Sequence, residues 1–146
     1  MTTDNQGSGG VIGRADAISR LLFIKVNVNS VDIYGNSAGG LAGGIVEGTS
    51  FRFYNCSVTG NNNSIIGYAE TGGLAGYTGA KSENATTYDG NTYSNHVDGC
   101  YVSGYTISSA KSGDNSGAGG LIGKNQEKDR SIVNSKVENC TVKCMG

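Results

Sequence analysis

The chain has 146 residues, a formal net charge of −1, 36% hydrophobic residues and 16% charged residues. This length accommodates one domain or one short stack of repeats, and the balanced charge gives no electrostatic basis for binding nucleic acid. Glycine, serine, asparagine and threonine make up close to half of the chain and proline is absent, a composition that excludes a helical bundle.

Nothing in the sequence indicates insertion into a membrane. The longest apolar run, 21–24, is far shorter than the roughly 18 to 20 residues of a membrane span. The first six residues contain no basic region followed by an apolar one, so we expect no secretory signal peptide in the sequence as given; either it has been removed or there never was one.

A short glycine motif occurs four times along the chain. Each copy has two glycines, an apolar residue, a small or apolar residue and a further glycine, at 9–13, 39–43, 72–76 and 119–123. A second block follows each copy, with the shared pattern at its first, fourth and sixth positions, at 23–28, 53–58, 97–102 and 137–142. A weaker third block follows at 31–33, 64–66 and 105–107, and we expect the fourth unit to stop before it.

The spacing of the glycine motif indicates a repeat architecture. Gly10 and Gly40 are 30 residues apart, Gly40 and Gly73 are 33 apart, and an insertion lengthens the interval from Gly73 to Gly120 to 47. The short alternating apolar runs between glycine and asparagine clusters are typical of strands. The sequence therefore predicts a flexible segment at 1–8 and one all-β domain at 9–146, with repeats at 9–38, 39–71, 72–118 and 119–146.

The predicted domain is a parallel β-solenoid in which each repeat forms one rung. Rungs stacked at roughly 4.8 Å would place equivalent side chains above one another in ladders. One predicted ladder contains Leu41, Leu74 and Leu121 with Val11, and another contains Val58, Val102 and Val142 with Val28. An antiparallel β-sandwich is the alternative, because it also uses short strands and glycine turns.

The chain resembles the GLUG-motif repeat of bacterial surface proteins and adhesins. The likeness lies in the Gly-Leu-apolar-Gly cores at 40–43, 73–76 and 120–123, each followed by an Asn/Gly-Cys-x-Val block. The first unit departs from the pattern, with Val11 for leucine and Val26 for cysteine. The resemblance implies a structural or adhesive role outside the cell or on its surface, and it implies no catalytic residue.

The four cysteines allow more than one interpretation. Cys56, Cys100 and Cys140 share a position in the second block, which predicts a buried ladder of thiols that pack as small hydrophobic groups. Stacked residues at about 4.8 Å lie somewhat farther apart than the roughly 3.8 Å between the Cβ atoms of a disulfide. Cys144 is either a partly buried spare thiol or a link to another chain. A zinc site is not expected, because the chain has one histidine and no C-x-x-C pair.

We expect the chain not to be an enzyme and to bind no cofactor. His96 is predicted to lie on a surface loop, and no serine or cysteine stands out as a nucleophile for it. The alternative is a polysaccharide-active enzyme of the kind found among longer β-helices, which would use Asp89, Asp98, Asp114 or His96 as acid or base.

The insertion at 77–95 is the candidate ligand-binding segment. It carries Tyr77, Tyr88 and Tyr93 among serine, threonine, asparagine and glycine, a mixture that suits contacts with a glycan or a host protein. An ordinary polar loop is the alternative interpretation.

Both terminal repeats are predicted to lack a capping element. The sequence therefore predicts contacts either with copies of the same chain, head to tail, or with neighbouring repeats of a longer chain. The predicted function is a structural module of an extracellular or cell-surface assembly that forms a fibre, and the alternative is an adhesin segment that binds its ligand through 77–95.

Overall fold

The computed structural model describes residues 7–16, 20–79, 85–111, 113, 116–126 and 131–145. These residues form strands, turns and bends, and no helix occurs among them. The strands stack in parallel sheets, which confirms the predicted all-β parallel solenoid.

Each of the four rungs crosses the same sides of the solenoid in the same order. The first rung contains β1 (Gly7–Gly9), β2 (Ile12–Ala15), β3 (Arg20–Ile24), β4 (Asn27–Asn29) and β5 (Ile33–Gly35). The second contains β6 (Ser37–Gly39), β7 (Ala42–Ile45), β8 (Ser50–Tyr54) and β9 (Ser57–Gly67). The third contains β10 (Glu70–Gly72), β11 (Ala75–Thr78), β14 (Val97–Asp98) and β15 (Tyr101–Ser109). The fourth contains β16 (Gly117–Gly119), β17 (Ile122–Asn125), β18 (Ile132–Val133), β19 (Lys136–Glu138) and β20 (Thr141–Cys144).

Equivalent strands of successive rungs pair into four parallel sheets, here named A to D. Sheet A contains β1, β6, β10 and β16, and sheet B contains β2, β7, β11 and β17. Sheet C contains β3, β8, β14 and β18, and the six-stranded sheet D contains β4, β5, β9, β15, β19 and β20. All their pairs are parallel, so the alternative of an antiparallel sandwich is wrong.

The corner between sheets C and D explains the repeated asparagine and glycine of the second block. The residue at this corner has a positive φ in every rung: Lys25 (55°), Asn55 (51°), Gly99 (64°) and Asn134 (50°). Glycine has no Cβ to clash in this conformation, and asparagine tolerates it better than most residues. A second such corner lies within sheet D, where Gly104 (74°) and Asn139 (50°) share the conformation.

Aromatic side chains fill the interior beside sheet C. The rings of Phe23 and Phe53 stack across the first and second rungs with centroids 5.4 Å apart, and Phe51 packs at 5.0 Å from Phe53. Phe51 and Phe53 are completely buried, whereas Phe23 of the first rung is half-buried. The best-protected core therefore lies in the two middle rungs.

A small hairpin interrupts the third rung. Strands β12 (Thr86–Tyr88) and β13 (Asn91–Tyr93) pair antiparallel, and the turn between them is Asp89-Gly90. Both turn residues have a positive φ, as the type I′ turn of a two-residue hairpin requires. The hairpin belongs to the insertion at 77–95, the candidate ligand-binding segment.

Two boundaries differ from the prediction. Strand β1 begins at Gly7, inside the segment predicted to be flexible, and residues 1–6 lie outside the described residues. The fourth rung does contain the third block, since β20 pairs with β15 through Val142 and Ile107.

Candidate functional site

The predicted leucine ladder corresponds to a column of backbone hydrogen bonds. The amide of Leu41 donates to the carbonyl of Leu74 at 2.9 Å, and the amide of Leu74 donates to the carbonyl of Leu121 at 2.8 Å. Val11 of the first rung donates to Leu41 at 3.1 Å. Leu41 and Leu74 are completely buried, and Leu121 of the fourth rung is half-buried against the same core.

The valine ladder ends at a different residue from the one predicted. Val28, Val58 and Val102 are in register, but their partner in the fourth rung is Val137 and not Val142. A Cβ built at Gly120 of the fourth rung would meet Val137 Cγ2 at 3.0 Å, which shows the same packing across the interior as in the other rungs. Val142 continues the column of Ile33, Ile65 and Ile107 instead.

The cysteine ladder is shorter than predicted. Cys56 and Cys100 occupy equivalent positions in the second and third rungs and are buried. The equivalent position in the fourth rung is Ser135, whose Oγ accepts a hydrogen bond from the amide of Cys100 at 3.1 Å. Ser135 Oγ donates to Val133 O two residues earlier, as Cys56 Sγ does to Tyr54 O. Cys140 is half-buried at the corner after β19 and does not belong to this column.

All four cysteines are free thiols. Cys100 Sγ donates to Phe53 O at 3.4 Å, and Cys56 Sγ donates to Phe23 O at 3.5 Å, so each buried thiol contacts a carbonyl of the preceding rung. The neighbouring Cys100 thiol lowers the pKa of the Cys56 thiol below its ordinary value. The neighbouring Cys56, together with burial, raises the pKa of the Cys100 thiol above its ordinary value. The pair therefore loses its first proton far more readily than its second.

The interior columns end in exposed aliphatic side chains at the fourth rung. Val97, Val102 and Ile107 of the third rung are each 0% exposed. Their fourth-rung partners are exposed by 43% (Ile132), 36% (Val137) and 42% (Val142). We call the outward side of the fourth rung, with these three residues and Leu121, the stacking face.

The three candidate tyrosines of the insertion lie in two places. Tyr88 and Tyr93 are on the hairpin and line a groove of about 580 Å³ together with Tyr54 of β8. Tyr77 lies on β11 in sheet B, where its hydroxyl donates to Gln126 Oε1 at 2.7 Å. Tyr77 therefore lines a separate cleft of about 340 Å³, with Arg14, Glu70 and Lys124.

His96 is not the surface residue that the sequence suggests. It is 7% exposed, and its ring packs 5.6 Å from that of Phe51. Its Nδ1 accepts a hydrogen bond from the amide of Ser131 at 3.3 Å. The carboxylate of Asp98 accepts from Asn95 and Asn134, Asp89 lies at the hairpin turn, and Asp114 lies outside the described residues. The histidine and Asp98 thus have separate partners among these hydrogen bonds.

Two residues that position the hairpin, Arg52 and Tyr54, were not among the predicted site residues. Arg52 is 1% exposed, and its Nε donates to Tyr93 O at 3.4 Å while its Nη1 donates to Phe51 O at 2.7 Å. Tyr54 accepts a hydrogen bond from the amide of Asn95 at 2.9 Å through its hydroxyl. In an alternating strand a charged residue between two phenylalanines is expected to face solvent, so no local pattern indicated that Arg52 is buried.

Comparisons with known proteins give no relative. No family model, curated protein or solved structure matches the chain. Among the described residues no cluster of three or more histidine, cysteine, aspartate or glutamate side chains could hold a metal ion. The same residues include no helix of the length and apolar character needed to cross a membrane.

Proposed function

We propose that this chain is a non-enzymatic structural module that associates end to end with further copies of itself into a fibre. The exposed aliphatic residues of the stacking face carry this proposal, because the same columns are completely buried one rung earlier. Fully burying an exposed valine or isoleucine side chain contributes roughly 1.5 to 3 kcal/mol. Covering the part of these side chains that is still exposed, 36 to 43%, therefore contributes a fraction of that amount for each residue and is favourable.

The first rung of a second copy begins the same columns that the fourth rung ends. The columns that end in Ile122, Ile132, Val137 and Val142 begin in Ile12, Phe23, Val28 and Ile33. At this first rung Ile12 and Phe23 are half-buried, whereas Val28 and Ile33 are already buried within the chain. Repeating the step between rungs would therefore place apolar side chains on apolar side chains in every one of these columns. The contact requires no new type of packing, since the chain already makes it three times.

The backbone supports the same mode of association. In the strand order of sheets A to D, the described strands of the first and fourth rungs are the outermost members. Outermost strands present amide and carbonyl groups that can pair with another strand, and parallel pairing in the existing register would use them. A head-to-tail contact of this kind generates an open fibre when its rotation does not close a ring.

The proposed location is outside the cell or on the cell surface, most simply of a bacterium. This part of the proposal rests on the resemblance to GLUG-motif repeats and on the glycine, serine, threonine and asparagine composition. Neighbouring repeats of a longer chain would use the same stacking face in the same way, so the test must measure association between separate copies.

Sedimentation velocity over a wide range of protein concentration tests the proposal. We expect the wild-type chain to form species that grow with concentration, and Val142→Lys to remain monomeric because a charge would have to be buried at the junction. Tyr68→Lys is the matched control: Tyr68 is 55% exposed and lies in the middle of the stack, so the variant should associate like the wild type. Circular dichroism checks that both variants keep their strands. A wild-type chain that stays monomeric at every concentration would refute the proposal.

A further inference from the structure

We propose that the groove beside the hairpin binds a short neutral oligosaccharide. This hairpin groove is lined by Ile24, Lys25, Tyr54, Asn55, Tyr88, Asp89, Asn91, Thr92 and Tyr93. Its volume of about 580 Å³ is in the range of small-ligand sites, roughly 300 to 1,000 Å³, and suits a di- or trisaccharide.

The groove is formed by chain segments that are remote in sequence. One wall comes from the ends of β3 and β8 and the corner that follows them, in the first two rungs. The opposite wall is the hairpin, which is inserted in the third rung but reaches back beside the first two. The stacking of rungs therefore creates the groove, and none of its lining residues belongs to the fourth rung.

The aromatic wall is held in place before any ligand arrives. The rings of Tyr54 and Tyr93 meet edge to face, with centroids 4.6 Å apart and an interplanar angle of 78°. The hydroxyl of Tyr54 accepts from the amide of Asn95, and the buried Arg52 side chain donates to the carbonyl of Tyr93. A site that is already ordered loses less conformational entropy on binding.

The hairpin is also tied internally. Asn91 donates from Nδ2 to the carbonyl of Asp89 at 3.0 Å across the type I′ turn, and the hydroxyls of Thr87 and Thr92 lie 3.4 Å apart. Tyr88 is 61% exposed, so its ring is open to a ligand. The hairpin thus presents one exposed ring on a short and well-defined turn.

The side chains of the groove match the chemistry of a sugar. A pyranose has faces of C–H groups, which pack on aromatic rings, and a rim of hydroxyls, which both donate and accept hydrogen bonds. Tyr54, Tyr88 and Tyr93 supply the rings. Asn55 and Asn91 supply amides that donate and accept, the groups needed at the rim.

Charge favours a neutral ligand over an acidic one. The groove has one cationic side chain, Lys25, and one anionic side chain, Asp89. A sulfated or uronic sugar would be attracted by Lys25 and repelled by Asp89, so the groove has no net positive charge to bind it. A peptide would need pockets for apolar anchors, and Ile24 is the one aliphatic side chain in this lining.

The test uses the full chain on an array of neutral di- and trisaccharides of hexoses and N-acetylhexosamines, with sulfated and uronic sugars and a random peptide library on the same surface. Isothermal titration then measures affinity for the strongest neutral sugar. We expect Tyr88→Ala to weaken this binding by about tenfold or more, as for a central aromatic contact. Tyr34→Ala is the matched control, because Tyr34 is also 61% exposed but lies on β5 outside the groove.

Each outcome bears on the proposal. Binding of a neutral sugar that Tyr88→Ala weakens and Tyr34→Ala leaves unchanged supports it. No sugar binding, equal losses in both variants, or a preference for acidic sugars or peptides would overturn it. Fibre formation by Tyr88→Ala should be the same as by the wild type, because the hairpin lies away from the stacking face, so failure here is distinguishable from failure of the structural role.

Discussion

Gly40 lies directly against Val58 across the interior of the second rung: a Cβ built at Gly40 would stand 2.5 Å from Val58 Cγ1. The same position in the third rung, Gly73, would meet Val102 Cγ1 at 2.7 Å. The glycine motif and the valine of the second block are therefore two sides of one contact that is repeated along the solenoid. This contact sets how closely sheet D approaches the corner between sheets A and B.

Gly40→Ala should lower the free energy of unfolding by about 1 to 3 kcal/mol, because the new Cβ would overlap Val58 and the carbonyl of Gly73. Urea unfolding followed by circular dichroism measures the change. Gly44→Ala is the control, since a Cβ at Gly44 has no heavy atom within 4 Å and its backbone suits alanine. Equal stability of both variants would contradict the packing described here.

The register of the fourth rung can be measured by double-mutant cycles. Alanine substitutions at Val102 and Val137 should show a coupling of about 0.5 to 1 kcal/mol, because the two residues are direct partners. The pair Val102 and Val142 should show almost none, while Ile107 and Val142 should couple. Coupling of Val102 to Val142 instead would contradict this register and support the one predicted from the sequence.

The sequence contained the information for the fold but not for this register. Four copies of the glycine motif were sufficient to predict stacked rungs, since only like stretches in register bury each other. The fourth unit has two corners, at Asn134 and Asn139, and both have a positive φ. The blocks around them are five residues apart and carry nearly the same pattern, so Cys140 and Val142 were aligned with the wrong partners.

The hairpin groove could be predicted from the sequence even less than the register of the fourth rung. The tyrosines of the insertion were noticed, but their grouping depends on Arg52 and Tyr54, which lie about forty residues earlier. No local sequence pattern indicates that a hairpin inserted in the third rung lies beside the first two rungs. Tyr77, in the same predicted segment, belongs to sheet B and points to a different cleft.

Tyr105 links the third rung to the first and gives a pH-dependent prediction. Its hydroxyl donates to Val31 O at 3.1 Å, and the ring passes over Gly60 of the second rung, where a Cβ would meet its Cε2 at 2.7 Å. Tyr105→Phe should lower the free energy of unfolding by about 0.5 to 1.5 kcal/mol at neutral pH. Tyr34→Phe, at an exposed position, should have no effect.

Burial raises the pKa of Tyr105 above its ordinary value, so the folded chain favours the protonated hydroxyl. This contribution to stability is complete below the unfolded-state pKa of about 10 and is lost as the pH rises through the folded-state value. Unfolding titrations carried from neutral pH to above about pH 10 should therefore show a smaller loss for Tyr105→Phe than for the wild type. An identical alkaline loss in both proteins would contradict this assignment.

Thiol reactivity should divide the cysteines by their position in the stack. Cys144 is exposed on β20 and should react with a thiol reagent at once in the folded chain. Cys56 and Cys100 are each about 1% exposed and should react only when the rungs separate, despite the lowered pKa of Cys56. Timed labelling followed by peptide mass spectrometry distinguishes the sites, and rapid labelling of Cys100 would argue against the buried column.

Cryo-electron microscopy of the concentrated protein tests the central claim most directly, namely that rungs stack in register within a chain and from one chain to the next. The account predicts filaments with an axial spacing of about 4.8 Å between strands and a rise of about 19 Å per four-rung subunit, with density continuous across each junction. Isolated particles of single-chain size, or filaments whose subunits touch through sheet faces instead of rung edges, would contradict it.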